Sequence, residues 1–113
     1  MNPQKYVVFM EYRVLEEKRA EFLRTMEEIS SAMLKKQVND YEWFESVDQG
    51  ALFVEMFSVN TLEQYNVLRT ERTEKSDSVF GRLDEFVPGG IKKVHCWCFK
   101  KKGPHGNENK EKE

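Results

Sequence analysis

The order of its strand-like and helix-like segments constrains this chain most, because it predicts the series strand, helix, strand, strand, helix, strand. Four segments rich in β-branched and aromatic side chains are predicted strands: residues 6–14, 41–47, 51–59 and 91–99. Between the first two, residues 16–36 are a predicted helix, because apolar side chains recur three and four positions apart at Phe22, Met26, Ile29 and Met33. Two strand–helix–strand halves joined by a hairpin predict an α+β, ferredoxin-like βαββαβ fold, with an antiparallel four-stranded sheet and two helices on one face.

The connections carry their own signals. Asn39 and Asp40 form a predicted turn, and residues 48–50 form a predicted hairpin in which Gly50 can adopt a positive φ. The second helix begins with a capping box at Thr61 and Gln64. Its apolar periodicity lapses across residues 70–76 and then resumes, which predicts a helix in two parts. Ser76 or Asp77 would cap the second part, and residues 88–90 (Pro-Gly-Gly) would end it.

Length and charge set the domain organisation. At 113 residues the chain is expected to be one domain over residues 6–99, after a lead of residues 1–5 and before a polar, disordered tail of residues 100–113. The net charge of −2 gives no basic field for nucleic acid. The sequence lacks a signal peptide and the run of about 20 apolar residues that a membrane span needs, so we expect a cytoplasmic protein with neither membrane nor nucleic-acid partners.

Side-chain alternation along the strands predicts two unlike sheet faces. One is a mixed aromatic and charged face, made of Phe9, Glu11, Arg13, Tyr41, Trp43, Glu45, Phe53, Glu55, Phe57, Lys93, His95 and Trp97. The other is more aliphatic, made of Val8, Met10, Leu52, Val54, Met56, Val94, Cys96 and Cys98. Helices are expected to cover the aliphatic face. The mixed face would then be a large exposed patch, which a two-fold homodimer would bury.

Cofactor signals are weak. Cys96 and Cys98 lie two apart in a strand, so their side chains are parallel and poorly placed for a disulfide. Histidine occurs at His95 and, in the tail, at His105, which leaves few ligands for a metal. Without a glycine-rich phosphate loop, we expect no metal, flavin or nicotinamide cofactor.

The element order and several segments resemble the antibiotic-biosynthesis-monooxygenase-like (ABM-like) group of the dimeric α+β barrel superfamily. The likeness covers roughly residues 6–99 and rests on YEWFESV at 41–47, ALFVEMF at 51–57, TLEQY at 61–65 and VFGRL at 79–83. It implies paired sheets that form a barrel, with a small-molecule pocket. Members include oxygenases of polycyclic phenols that need no cofactor, haem-degrading enzymes and lactone isomerases. Haem-degrading relatives use an Asn early in the first strand, and many relatives carry a His in the second helix. Residues 6–12 of this chain contain no Asn and residues 65–73 contain no His, so haem degradation is disfavoured.

Two residues are the candidates for catalysis on the mixed face. His95 with a nearby carboxylate can act as a general base, and the sequence leaves open whether that carboxylate is Glu55 or Glu11. The structural alternatives are an interface histidine and cross-strand or cross-subunit ion pairs that fix the register and the dimer geometry. These pairs would involve Glu11, Arg13, Glu45 and Glu55. On the second helix, Arg69 and Arg72 either clamp an anionic substrate or pair in solvent with Glu71 and Glu74.

Two function classes follow. In the first, the chain is a cofactor-independent monooxygenase or a binder of an aromatic, quinone-like molecule. Its ligand-binding residues would be Arg13, Trp43, Phe53 and Trp97. In the second, the chain is a non-catalytic dimerisation or regulatory module whose rings fill an interface. A cavity beside His95 and Glu55 would favour the first class, and a packed core would favour the second.

Overall fold

The computed structural model describes residues 6–104, and they form the predicted ferredoxin-like architecture. The strands are β1 (Tyr6–Arg13), β2 (Asn39–Glu45), β3 (Leu52–Val59) and β4 (His95–Lys100), and the helices are α1 (Arg19–Leu34) and α2 (Leu62–Arg72). The sheet is antiparallel, with the strand order β2-β3-β1-β4. None of the helices within residues 6–104 is long and apolar enough to span a bilayer.

Several predicted boundaries shift by a few residues. The first helix is preceded by a 3-10 turn at Glu16–Lys18, and the predicted fourth strand begins as a 3-10 turn at Ile91–Lys93. β2 begins at Asn39, so the predicted turn at Asn39 and Asp40 belongs to the strand. The domain limits remain predictions, and the lead at residues 1–5 and most of the tail, with His105, lie outside the described residues.

The second helix is in two parts, as the sequence predicts. The Thr61 hydroxyl accepts a hydrogen bond from the amide of Gln64 at 3.0 Å, and the Gln64 side chain accepts one from the amide of Asn60 at 3.1 Å. The second part is a 3-10 helix at Phe80–Glu85, and Asp77 Oδ1 accepts hydrogen bonds from the two amides that precede and begin it. In the hairpin, the positive φ falls at Ala51 and not at Gly50.

The core lies between the sheet and the helices. Four side chains of the predicted α1 stripe are fully buried: Phe22, Met26, Ile29 and Met33. Val8 and Met10 of β1 face them, with Cys96 and Cys98 of β4 at the margin as free thiols. Burial raises the pKa of both thiols.

The predicted grouping of the two faces is correct for β1 and β4 but wrong for β2 and β3. The register sets Met10 opposite Glu55 and Trp43 opposite Glu55, so these side chains share the helix-covered face. Phe53, Glu55 and Phe57 are therefore buried, whereas Leu52, Val54 and Met56 lie on the open face with Phe9, Glu11 and Arg13. β3 has apolar side chains on both faces, so its alternation does not show which face is buried. Glu55 suggested an exposed face, but it is buried and its negative charge is balanced by Arg72.

Candidate functional site

The most unusual feature of the interior is a set of four polar side chains, which we call the Glu55 cluster. Tyr12, Glu55 and Arg72 are buried, and Tyr41 is half-buried. The Arg72 guanidinium donates two parallel hydrogen bonds of 2.8 Å to the carboxylate of Glu55. The Tyr12 hydroxyl donates to Glu55 Oε2 at 2.5 Å, and the Tyr41 hydroxyl donates to Oε1 at 2.8 Å. Glu55 and Arg72 are both inaccessible to solvent. The cluster therefore joins three strands to α2 through one carboxylate.

The protonation states of the cluster follow from its contacts. Burial would raise the pKa of Glu55, but the charge of Arg72 and the hydrogen bonds from Arg72, Tyr12 and Tyr41 outweigh it and hold that pKa below its usual value. Burial, followed by the charge of Glu55, raises the pKa of Tyr12 and of Tyr41. At neutral pH the cluster thus consists of a carboxylate, a guanidinium and two hydroxyl donors. Glu55 is an ionised acceptor and a weak base.

An aromatic shell encloses the cluster. The Phe22 ring lies 4.6 Å from Phe53 and 6.4 Å from Trp43, measured between ring centroids. The Arg72 guanidinium lies 5.0 Å from the centroid of Phe80. Its Nε is buried and has no hydrogen-bond partner among the side chains and backbone of residues 6–104.

Tyr41 is the member of the cluster that approaches the surface. It is half-buried and lies on β2, at the edge of the sheet. β2 has one extra residue between Asn39 and Glu42 relative to β3, which is a β-bulge, and Asp40 within it has a φ of 56°. Bulges of this kind occur often at sheet edges and beside functional sites, where they redirect a side chain.

The residues predicted to form one site divide between the two sheet faces. Glu55 is the centre of the Glu55 cluster, and Trp43 and Phe53 lie beside it on the helix-covered face of the sheet. Arg13, His95 and Trp97 lie on the open face, where Arg13 and His95 line a separate cavity of about 240 Å³. Of the two carboxylates considered as partners of His95, Glu55 lies on the opposite sheet face, and Glu11 is the residue opposite His95 in the register. The functional roles of all six residues remain predictions.

The predicted ion pairs also need correction. Glu55 pairs with the buried Arg72, which was expected to be solvated with Glu71 or Glu74. Glu45 pairs with Arg19 of α1 at 2.5 Å, on the surface. The Arg13 guanidinium donates to the Gln49 side chain and, at 3.4 Å, to the carbonyl of Gly50 in the hairpin. None of these contacts is a cross-strand ion pair, and the cross-subunit alternative remains a prediction.

Tyr12 and Tyr41 were not predicted as site residues, and Arg72 was considered as an anion clamp or a solvated side chain. The sequence contains a signal for the burial of Tyr12 and Arg72. Tyr12 follows Val8 and Met10 at intervals of two, so it points to the same face. Arg72 follows Leu68 by four residues, which places it on the buried side of α2. An arginine at such a position requires a buried acid, and Glu55 supplies it.

Comparisons with known proteins support the fold. No protein-family model matches the sequence, and no curated protein matches it either. Solved structures with a similar fold include a conserved protein from Methanosarcina mazei Go1, which has 17% identity, a TM-score of 0.70, and coverage of 88% of this chain and 94% of that one.

Two further structures carry more informative names. A candidate antibiotic biosynthesis monooxygenase from Nitrosomonas europaea has 13% identity and a TM-score of 0.66, over 94% of this chain and 98% of that one. A NIPSNAP family protein from Agrobacterium tumefaciens has 16% identity and a TM-score of 0.63, over 90% of both chains. At these identities the likeness is one of fold. The chain therefore shares the ferredoxin-like α+β fold of these solved structures, and this is the fold that its sequence predicts.

Proposed function

We propose that the protein binds a planar phenol- or quinone-like molecule at the Glu55 cluster and works as a homodimer. The observation that carries this proposal is the buried Glu55–Arg72 pair with its two tyrosine hydroxyls, between the sheet and the helices. A buried ion pair adds little net stability relative to apolar residues of the same size. A ligand that uses the pair would give it a function that packing alone does not require.

The chemistry of the cluster suits a hydroxylated aromatic ring. The ionised Glu55 accepts hydrogen bonds from hydroxyl groups, and Arg72 stabilises an adjacent oxyanion. Trp43 and Phe53 supply flat apolar faces beside them. We infer that a ligand hydroxyl takes the place of the Tyr41 hydroxyl on Glu55 Oε1, since Tyr41 is half-buried and lies in the bulge of an edge strand.

One fold neighbour is named as a candidate antibiotic biosynthesis monooxygenase, and the group that the sequence resembles includes oxygenases that need no cofactor. Oxygenation without a cofactor is therefore the reaction to test. An anthrone-type ring would lose the two hydrogens of one CH₂ group and gain a carbonyl oxygen from O₂, and the second oxygen atom would leave as water. The ring itself supplies the electrons, so no flavin or metal is required. Arg72 would favour the ionised form of the ring, in which electron transfer to O₂ is easier.

A non-catalytic dimerisation module is the second candidate function. It is favoured by the saturation of Glu55, whose two carboxylate oxygens each accept two hydrogen bonds from within the chain. In that case the cluster only fixes α2 on the sheet.

The test is binding and oxygen uptake with 1,8-dihydroxyanthrone, measured with a chelator and without added flavin. Tyr41→Phe removes the hydroxyl that competes for Glu55, so it should tighten binding about tenfold, in line with one hydrogen bond to a charged group. Tyr65→Phe is the matched control, because the Tyr65 hydroxyl donates instead to the backbone oxygen of Cys96 at 3.4 Å. Absence of binding to the parent and to both variants would favour the non-catalytic module.

A further inference from the structure

A second polar cavity lies at the end of β1, and Tyr12 of the Glu55 cluster is among its lining residues. It has a volume of about 240 Å³ and lies between the hairpin and the segment that precedes β4. Its apolar wall is formed by Leu52, Val87 and Pro88. A cavity of about 150 Å³ holds one benzene molecule, so this one fits a single substituted ring.

The charges around this cavity favour an anion. Arg13 and Lys93 each contribute a positive charge, and His95 contributes an imidazole. Glu11 is the acidic residue among the lining side chains that the structure describes, and it lies opposite His95 in the strand register. The fixed charges of the two cations therefore exceed that of the single carboxylate.

Arg13 is held in place with donors to spare. Two of its N–H groups are occupied by the Gln49 side chain and the Gly50 carbonyl, both in the hairpin. A guanidinium has five N–H donors, so three remain for a ligand. Because the hairpin already fixes the side chain, binding an anion costs little additional conformational entropy.

Lys93 is positioned by a glycine. Gly89 has a φ of 85°, and its missing side chain leaves room for the methylene groups of Lys93. The Lys93 Cγ atom is 2.9 Å from the point that a Cβ on Gly89 would occupy. Any larger residue at position 89 would displace the lysine stem from this side of the cavity.

His95 supplies a flat surface. Its imidazole stacks on the Trp97 indole with ring centroids 5.6 Å apart and an angle of 8° between the planes. The stack fixes the orientation of the imidazole beside Arg13 and Lys93. The cavity thus combines a flat polar ring, an apolar wall and two cations.

We propose that this cavity binds a single-ring aromatic carboxylate, with the carboxylate on Arg13 and Lys93 and the ring between His95 and the apolar wall. Recognition of this kind needs a bidentate or paired cationic contact for the carboxylate and a flat surface for the ring. Tyr12 lines this cavity too, but Arg13 and His95 lie on the sheet face opposite Glu55, so substitution of Arg13 or Lys93 tests this site without changing a member of the Glu55 cluster.

The test is an NMR titration of the full chain with benzoate, with benzamide and acetate as matched probes. Benzoate should shift the amide signals of Gly89, Lys93 and His95 and leave those of Tyr41 and Glu55 unchanged. Benzamide lacks the charge and acetate lacks the ring, so each should bind at least about tenfold more weakly.

Two variants locate the contact. Lys93→Gln and Arg13→Gln should each weaken benzoate binding about tenfold. Lys92→Gln makes the same change in net charge one residue away, outside the cavity lining, and should leave binding within about twofold. The proposal is overturned if benzoate shifts none of the cavity amides, if acetate binds as tightly as benzoate, or if Lys92→Gln weakens binding as much as Lys93→Gln.

Discussion

At the scale of single residues, Glu55 and Arg72 form a pair that is stable together and costly to separate. Each is fully buried, and each neutralises the other through two hydrogen bonds of 2.8 Å. Removing one partner leaves an uncompensated charge in a medium of low dielectric constant. Removing both leaves space that apolar side chains of similar length can fill.

We therefore expect Glu55→Ala to lower the free energy of unfolding by about 3–5 kcal/mol. The double variant Glu55→Met with Arg72→Met should recover most of that loss. Glu45→Ala is the control, because its partner Arg19 lies on the surface, and it should lose no more than about 1 kcal/mol. Urea denaturation measures all three, and an equal loss for Glu55→Ala and Glu45→Ala would contradict the buried-pair assignment.

The same residues predict how stability depends on pH. The native pKa of Glu55 is lower than its ordinary value of 4.5, so its contribution is present above pH 4.5 and is lost as the pH falls through the native pKa. The native pKa of Tyr12 is higher than its ordinary value of 10.0, so its contribution is present below pH 10.0 and is lost at higher pH. Melting temperatures measured from pH 2 to 12 should decline on both sides of this window. The Glu55→Met, Arg72→Met variant should show a smaller acid decline, and an identical decline would refute the role of Glu55.

At the level of elements, two backbone segments of the second helical region approach each other so closely that one position must be glycine. Gly81 lies in the 3-10 helix Phe80–Glu85 and packs against the backbone of Lys75, in the segment that follows α2. A Cβ at Gly81 would lie 2.2 Å from the carbonyl oxygen of Lys75. A backbone atom cannot move aside as a side chain can, so the helix would have to shift.

Gly81→Ala should therefore lower the free energy of unfolding by about 1–3 kcal/mol, measured by thermal or urea denaturation. Gly50→Ala is the matched control, because the nearest atom to its Cβ is the carboxylate of Glu16 at 3.4 Å, on a side chain that can rotate. If the two variants were equally stable, the close approach at Gly81 would be disproved.

At the scale of the whole molecule, the open sheet face is the surface that a second subunit would cover. Its exposed rings are Trp97, Phe99 and Phe44, with 44%, 49% and 46% of their surface accessible. Phe9 packs edge to face on Phe99 in the same patch, with ring centroids 5.4 Å apart. An exposed aromatic surface of this kind is typical of a protein–protein interface.

We expect sedimentation velocity to give a dimer at micromolar concentration. Trp97→Ala should weaken association by about 2 kcal/mol or more, which raises the dissociation constant about thirtyfold. Leu62→Ala is the control, because Leu62 is similarly exposed, at 52%, but lies on α2 and away from the sheet. A monomeric parent, or a Trp97→Ala variant that associates as tightly as the parent, would exclude this face as the interface.

Local spacing in the sequence was sufficient to predict the element order, the α1 stripe, the capping box at Thr61 and the division of the second helix near Ser76 and Asp77. Each depends on neighbours close in the chain, whose spacing decides which side of a helix they occupy or which amide they cap. The side of β1 and of β4 that faces the helices was also predictable. In β1, for example, the apolar side chains of Val8 and Met10 lie on the same side of the strand. These features were enough to identify the fold.

Which face of β2 and β3 is buried depends on contacts between elements that are distant in the chain. β3 has apolar side chains on both sides, so its alternation does not distinguish them, and a single glutamate favoured the wrong one. The strand register and the arrival of Arg72 from α2 made burial of Glu55 possible. Long-range pairing of charges depends on where distant elements meet in space, and for that reason the Glu55 cluster could not be found from local spacing.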